Sequence, residues 1–382
     1  MKDIHLFVPT FNVEECVNAV RECLNKGWTG LGDKTVEFEH VFCETFGHPY
    51  AHFVNSATAG LHLAVKTLKE FGGWEEGDEI ITTPITFVST NHAILYEQLT
   101  PVFADVDDYL CLDPKSIEKA IGPRTRAVMF VGLGGNTGQW SEVVKLCRRR
   151  GLAVILDAAH MTGARLDGKN PALAADASVY SFHAVKNLPT ADAGMVCFSV
   201  EKYDQAVRKL SWLGIDKDTF ARSATSLPYK WRYEVDTIGY KYHGNSIMAA
   251  LALTQIRSLE ADNAYRKRLC ECYIERLSGI DGVRLVPVAP GCESSRHLFQ
   301  VLVKNRDEVM TELNKRRIYP GIHYRDNTEY PMYRYAEGSC PKARVISNSV
   351  ISLPLHLRLD QFDIDRVAGA LIEAVAVTRN SL

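Results

Sequence analysis

What most constrains this chain is its repeating change of period. Between about residues 50 and 200, short β-rich runs alternate with longer helical patterns. AHFVN precedes TAGLHLAVKTLKEF and DEIITTP precedes TFVSTNHAILYE; PVFADV, RAVMFV, EVVKLCRRRG and AVILDAA follow. Strand, helix and strand in that order describe βαβ units, so the pattern predicts an α/β fold, a mainly parallel sheet with helices on both faces. Ligands of such sheets sit beyond the carboxyl ends of the strands, and chemistry-bearing residues are to be sought there. The 382 residues, 46% of them hydrophobic, are enough for a large core and a second domain. Around 240–275 the pattern turns helical, and beyond it HLFQVLV, RDEVMTELNKRRI, PGIHY, VISLPL and DIDRVAGALIEAVAV read as a smaller α+β domain. We place the division at 255/256: residues 1–255, with the N-terminal segment, form the large domain and residues 256–382 the small one.

Three strand-to-helix junctions carry residues suited to chemistry. Asn55-Ser56-Ala57-Thr58-Ala59-Gly60 opens a helix with small and hydroxyl residues, which lets backbone N–H groups and the helix dipole meet a phosphate; the same residues are also ordinary N-caps. AVILDAAH ends an apolar strand on Asp157, an acid placed either to hold a positively charged ring nitrogen or to cap the following turn. Ser181-Phe182-His183-Ala184-Val185-Lys186-Asn187-Leu188 puts a hydroxyl and a lysine five residues apart after the strand-like ASVYSF. A lysine in a largely apolar segment needs a partner, a covalent task, or a route for its ammonium to reach water.

Taken together, these junctions resemble the sugar-aminotransferase family named after the DegT, DnrJ, EryC1 and StrS proteins. The likeness runs through GWTGLGDKTVEFE at 27–39, NSATAGLHLAV at 55–65, GDEIITTPITFVSTNHAILY at 77–96, DAAH at 157–160, SFHAVKN at 181–187, GYKYH at 239–243 and SLPL at 352–355. It implies a pyridoxal-phosphate (PLP) enzyme of the aspartate-aminotransferase-like fold type I, with residues 1–255 binding the cofactor. By the same resemblance Lys186 is the catalytic lysine that carries the cofactor and Asp157 pairs with its ring nitrogen. Phe87 stacks on the ring, with His160 beside it. Ala57, Thr58 and Ser181 cradle the phosphate, and Lys241 reaches that phosphate from the neighbouring subunit of a homodimer with shared active sites. His323, Tyr324 and Arg325 match a segment near the substrate entrance. The implied reaction moves an amino group from an amino acid, with L-glutamate the expected donor, to a nucleotide-linked keto sugar. The motifs stand nearest to relatives that aminate C4.

The chain departs from the family pattern at three places. Ala191-Asp192-Ala193-Gly194 stands where A-E-G-G is usual, Gly132 replaces the usual His or Asn, and Thr328 takes the place of a second His after Arg325. A PLP-dependent sugar dehydratase is the alternative within the family, but those relatives carry histidine where this chain has Lys186. A regulatory protein that binds without turnover is another, although no basic arm or helix-turn-helix extension is visible.

Charge and motif content narrow the field further. Lys plus Arg number 44 against 46 for Asp plus Glu, which argues for neither nucleic acid nor an anionic membrane as partner. No stretch approaches a membrane span, and the first residues lack the apolar core of a secretion signal. Ten scattered cysteines without a C-x-x-C pair read as reduced thiols of a cytoplasmic protein. Cys270 and Cys272 point in different directions on a helix and no HExxH occurs, so no metal site is expected. The run Gly132–Gly138 lacks the Gly-Lys-Ser/Thr ending of a phosphate-binding loop and reads as a turn.

Overall fold

In the computed structural model, which describes residues 2–216 and 233–379, the apolar runs pair into one large sheet. Its strands are β1 (Tyr50–Val54), β2 (Glu79–Thr82), β3 (Thr100–Phe103), β4 (Thr125–Val131), β5 (Ala153–Asp157), β6 (Ala177–Ser181) and β7 (Gly194–Phe198). The order across the sheet is β1-β7-β6-β5-β4-β2-β3, and β7 alone runs against its neighbours. Every residue of β6 and β7 is buried, the signature of strands covered on both faces. Period-2 alternation sorts their side chains: Met129, Ile155, Val179 and Val196 meet Leu61, Leu63 and Leu68 of helix α3 (Ala57–Gly72). Phe130, Leu156, Tyr180 and Met195 face the opposite layer, with Phe38 and Phe42 of helix α2 (Asp33–Phe46), which follows helix α1 (Val13–Lys26). The α/β expectation holds, and β5 and β6 end side by side, which sets Asp157 and Ser181 on one edge.

A second cluster belongs to the chain's last third. Strands β8 (Val283–Leu285), β9 (Phe299–Val303) and β10 (Val350–Leu353) form an antiparallel sheet. Leu269, Tyr273 and Leu277 of the helix Leu259–Leu277 pack on it together with Ile364, Val367 and Leu371 of the helix Gln361–Arg379. A short N-terminal strand outside the large sheet crosses the 255/256 division: Ile4–His5 pairs with Ile318–Tyr319, and Ile4 is buried in this cluster. The N-terminal segment is therefore shared between the two bodies. Among the described residues, no helix is long and apolar enough to cross a membrane.

Specific polar contacts fix the small body on the large sheet. Asn327 is fully buried; its backbone N–H donates to Pro84 O (2.9 Å), its Nδ2 to Thr86 O (2.9 Å), and its Oδ1 accepts from Asn91 Nδ2 (3.0 Å). Nearby, the Asp105 carboxylate accepts the N–H groups of Lys342 and Ala343 at 2.9 and 2.8 Å. Buried amides of this kind are costly to strip of partners. Replacing Asn327→Ala would orphan the Thr86 carbonyl, leave the Asn91 amide with only its longer bond to Thr83 O (3.3 Å), and is expected to destabilise the fold by about 2–4 kcal/mol. Urea unfolding measures this, and a loss below about 0.5 kcal/mol would show that the docking bonds contribute nothing net.

Candidate active site

Asp157, the last residue of β5, is 4% exposed. Thr90 Oγ1 donates to its Oδ2 at 2.7 Å and the Ala159 N–H to its Oδ1 at 3.1 Å. With the acid ionised, Thr90 spends its proton on the carboxylate, so Thr86, 2.8 Å away, donates to Thr90. Thr86 precedes helix α4 (Val88–Tyr96) and Thr90 lies in its first turn. No cationic side chain lies within ion-pair distance of Asp157 among the described residues. Burial pushes its carboxyl up despite these bonds and the Lys186 charge nearby. A buried carboxylate supplied with donors but no contacting cation is built to receive one.

Lys186 sits in the tight turn after β6. Its N–H bonds His183 O (2.8 Å), and Thr190 closes the turn on Phe182 O through both its N–H and its hydroxyl, each at 2.8 Å. Desolvation pulls its ammonium down to about 8, with Asp157 opposing. A lysine in that state offers a sizeable neutral, nucleophilic fraction near physiological pH, which an exposed lysine does not.

His160 is locked in one tautomer. Its Nδ1 accepts the Gly134 N–H (3.2 Å), leaving Nε2–H to face Tyr324 Oη (3.3 Å). Burial, with the Lys186 charge nearby, keeps this ring neutral, its pKa well below the usual histidine range. The glycine-rich run is indeed a turn, a short 3-10 segment at Leu133–Gly135, and it also orients His160. His297 packs against His160 with ring centroids 4.3 Å apart and bonds Asn187 Oδ1 through Nδ1 at 3.0 Å.

On the other side of the lysine turn, Ser181 ends β6 and Ser56 caps α3 by accepting the Ala59 N–H at 3.1 Å. The N–H groups of Ala57 and Thr58 open the helix and have no intrahelical acceptor. Gly194 makes this approach possible, because it pairs with both Val54 and Ser181 and a Cβ there would stand 2.7 Å from Ala57 N. The cradle therefore rests on bare backbone. These residues fit PLP: amides and a hydroxyl for the phosphate, a buried carboxylate for the ring nitrogen, a depressed lysine for the aldehyde, and the half-exposed Phe87 ring at the start of α4.

The remaining predicted residues divide. Tyr324 joins the cluster through His160 and lies 6.2 Å, centroid to centroid, from Phe87. His323 turns to Ser352 Oγ (2.9 Å), and Arg325 points outward to Glu329 (3.1 Å). Thr328 is buried with both its N–H and its hydroxyl on Asp326, so it faces away from solvent within a turn. Lys241 places its carbonyl on Asn55 Nδ2 (3.1 Å), while its ammonium lies over the Trp212 ring at 3.3 Å. At Gly132 the Met161 side chain fills the space: a Cβ would fall 1.9 Å from its sulfur. Sequence reasoning missed Thr86, Thr90 and His297; the two threonines carried a signal, since hydroxyls four apart at a helix start share a face.

Only the neutral amine attacks a carbonyl, so capture of PLP by cofactor-free protein is expected to accelerate with pH up to about 8 and then level off. Asp157→Asn, which removes the opposing charge, is expected to move that inflection to lower pH. Stopped-flow absorbance follows both, and a rate still climbing toward pH 10 would refute the depressed lysine.

Comparison with known proteins gives this geometry its setting. The family model of the DegT/DnrJ/EryC1/StrS aminotransferase family matches residues 11–372. The crystal structure of the aminotransferase TlmJ from Streptoalloteichus hindustanus superposes with a TM-score of 0.90 at 31% identity, covering 99% of this chain and 100% of that one. PseC of Helicobacter pylori, an aminotransferase of pseudoaminic acid biosynthesis, gives 0.90 at 27% identity over 98% and 100% of the two chains. Spr1654 of Streptococcus pneumoniae, solved in PLP and pyridoxamine-phosphate (PMP) forms, gives 0.90 for both, at 25% and 26% identity, with 97–98% of this chain and 99% of that one covered. The chain belongs to the DegT/DnrJ/EryC1/StrS aminotransferase family, a family of PLP-dependent sugar aminotransferases.

Proposed function

We propose that this protein moves the amino group of L-glutamate to C4 of a keto sugar carried on a nucleoside diphosphate, in amino-sugar biosynthesis. The observation that carries the reading is the meeting of Lys186, Asp157 and His160 at the carboxyl edge of a sheet of this family. PLP, when bound, serves as the electron sink that makes the α-carbon proton of the donor removable. The chain's own residues do the rest. Lys186 holds the cofactor and, once displaced by the donor, is the general base and acid that moves the proton, a role its pKa of about 8 suits. Asp157, steadied by Thr90, keeps the ring nitrogen protonated, which is the cation its buried carboxylate lacks. Phe87 covers the ring, His160 stands beside it, and Ser181 with the Ala57 and Thr58 amides holds the phosphate.

We assign cofactor binding to residues 1–255 and the entrance side to residues 256–382, where the segment His323, Tyr324 and Arg325 meets the sugar. In the reading adopted here the enzyme is a homodimer, and Lys241 leaves Trp212 to reach the partner's phosphate. Ten unpaired cysteines suit a reducing compartment, so we place the enzyme in the cytoplasm.

Glutamate is expected to convert the PLP form to the PMP form with release of 2-oxoglutarate, and Lys186→Ala to abolish both that conversion and the visible cofactor absorbance. Matched 3-keto and 4-keto nucleotide sugars then test position: product NMR should show the new amine at C4, and exclusive amination at C3 overturns the C4 assignment. For the shared site, Lys186→Ala and Lys241→Ala chains, each inactive alone, are expected to regain part of the activity when mixed under conditions of subunit exchange. A hybrid dimer has one site with both lysines and one with neither. No recovery despite demonstrated exchange would rule the shared site out.

A further inference from the structure

Beside the lysine turn lies a small recess open to solvent, lined by Lys186 and its neighbours, by residues 7–10, and by Asp262, Arg266, His297 and His356. Arg266, on the helix Leu259–Leu277, is the unusual member. It is 9% exposed, yet its one hydrogen bond among the described residues runs 3.4 Å from Nη1 to Asn263 Oδ1, an oxygen that already takes a 2.7 Å bond from Asn187 Nδ2. Among the described residues no carboxylate comes within ion-pair distance of it. A guanidinium has five donors, and burying it with one weak acceptor is expensive unless a negative group completes the site. Loss of water already holds its pKa down to about 10, with Asp262 only partly opposing.

The charge of the recess has a sign. Arg266 is a fixed cation and Lys186 adds positive charge whenever its nitrogen is protonated, whereas burial keeps His297 and His356 neutral. Asp262 is the one acid on the lining, and its Oδ2 accepts from Ser258 Oγ at 3.0 Å. That balance against one engaged carboxylate favours an anion. The site also connects to the lysine turn: Arg266 leans on Asn263, Asn263 on Asn187 next to Lys186, and Asn187 on His297.

We propose that this recess is an anion subsite in which Arg266 receives the side-chain carboxylate of the amino donor. The identity of that donor rests on the function proposed above. The donor's amine must come to Lys186, which lines the same recess, so its distal carboxylate has a guanidinium within the same enclosure. An Arg–carboxylate pair is bidentate and selective, which would set the preference for an acidic over a neutral amino acid.

Glutarate, a dicarboxylate without the amine, is the probe. Calorimetry and thermal melting of the PLP-loaded protein are expected to show glutarate binding, no binding of the neutral glutaramide, and much weaker protection by equimolar chloride. Arg266→Gln should weaken glutarate at least tenfold, and Asp262→Asn should tighten it severalfold. Unchanged glutarate affinity in Arg266→Gln overturns the subsite. If that variant does not fold, Asp262→Asn decides, and equal or weaker binding there overturns it. Chloride as effective as glutarate would assign the recess to an inorganic anion and overturn the donor assignment. If glutarate binds as expected but no acidic amino acid yields its 2-oxo acid, the transfer reading falls while the anion subsite stands.

Discussion

Everything at this site follows from burying a carboxylate at the end of a parallel strand. Asp157 is deep enough that water no longer stabilises its charge, so the protein supplies Thr90, the Ala159 amide and the field of Lys186 in place of water. The same dryness weakens the lysine's hold on its proton and keeps His160 neutral. One desolvated edge thereby sets three protonation states at once, and each suits a different part of PLP. The arrangement needs walls more than it needs charges. Those walls are the two apolar layers on the sheet and the small body docked across its end.

The degree to which this was legible varied with the kind of signal. The alternation between residues 50 and 200 specified the sheet because period 2 and period 3.6 are local properties. Asp157 and Lys186 stood out as polar residues ending or interrupting apolar runs, although the residues alone left capping and snorkelling open. Phe87, His160 and Lys241 were visible only through resemblance, since a single aromatic, histidine or lysine has no pattern of its own. Thr328 and Arg325 follow Tyr324 closely in sequence, and only the structure shows that their side chains bond Asp326 and Glu329. Arg266 and His297 were out of reach for a different reason. Their environment depends on Asn187 of the lysine turn, which is 76 residues from Asn263 and 110 from His297, and no local spacing encodes that meeting.

The docking of the small body deserves a mechanical reading. Asn327 and Asp105 bond to backbone groups, the carbonyls of Pro84 and Thr86 between β2 and α4 in one case and the first-turn N–H groups of the helix Pro341–Ser347 in the other. Backbone partners give a contact less freedom than long side chains would, so Tyr324 is delivered to His160 with little slack. The shared N-terminal strand acts in the same sense, since Ile4 anchors in the small cluster while residues 7–10 line the recess next to Lys186. Reacting groups in such a site tolerate misplacement of only about 1 Å before rate is lost.

The methionine that fills the space above Gly132 couples two positions of the site. Because a Cβ at 132 would meet the Met161 sulfur, any side chain introduced at 132 requires the Met161 side chain to turn aside. A relative's residue grafted at 132 alone therefore carries the displacement of Met161 with it, and pairing the graft with a shorter side chain at 161 separates that packing effect from the residue's own contribution to specificity.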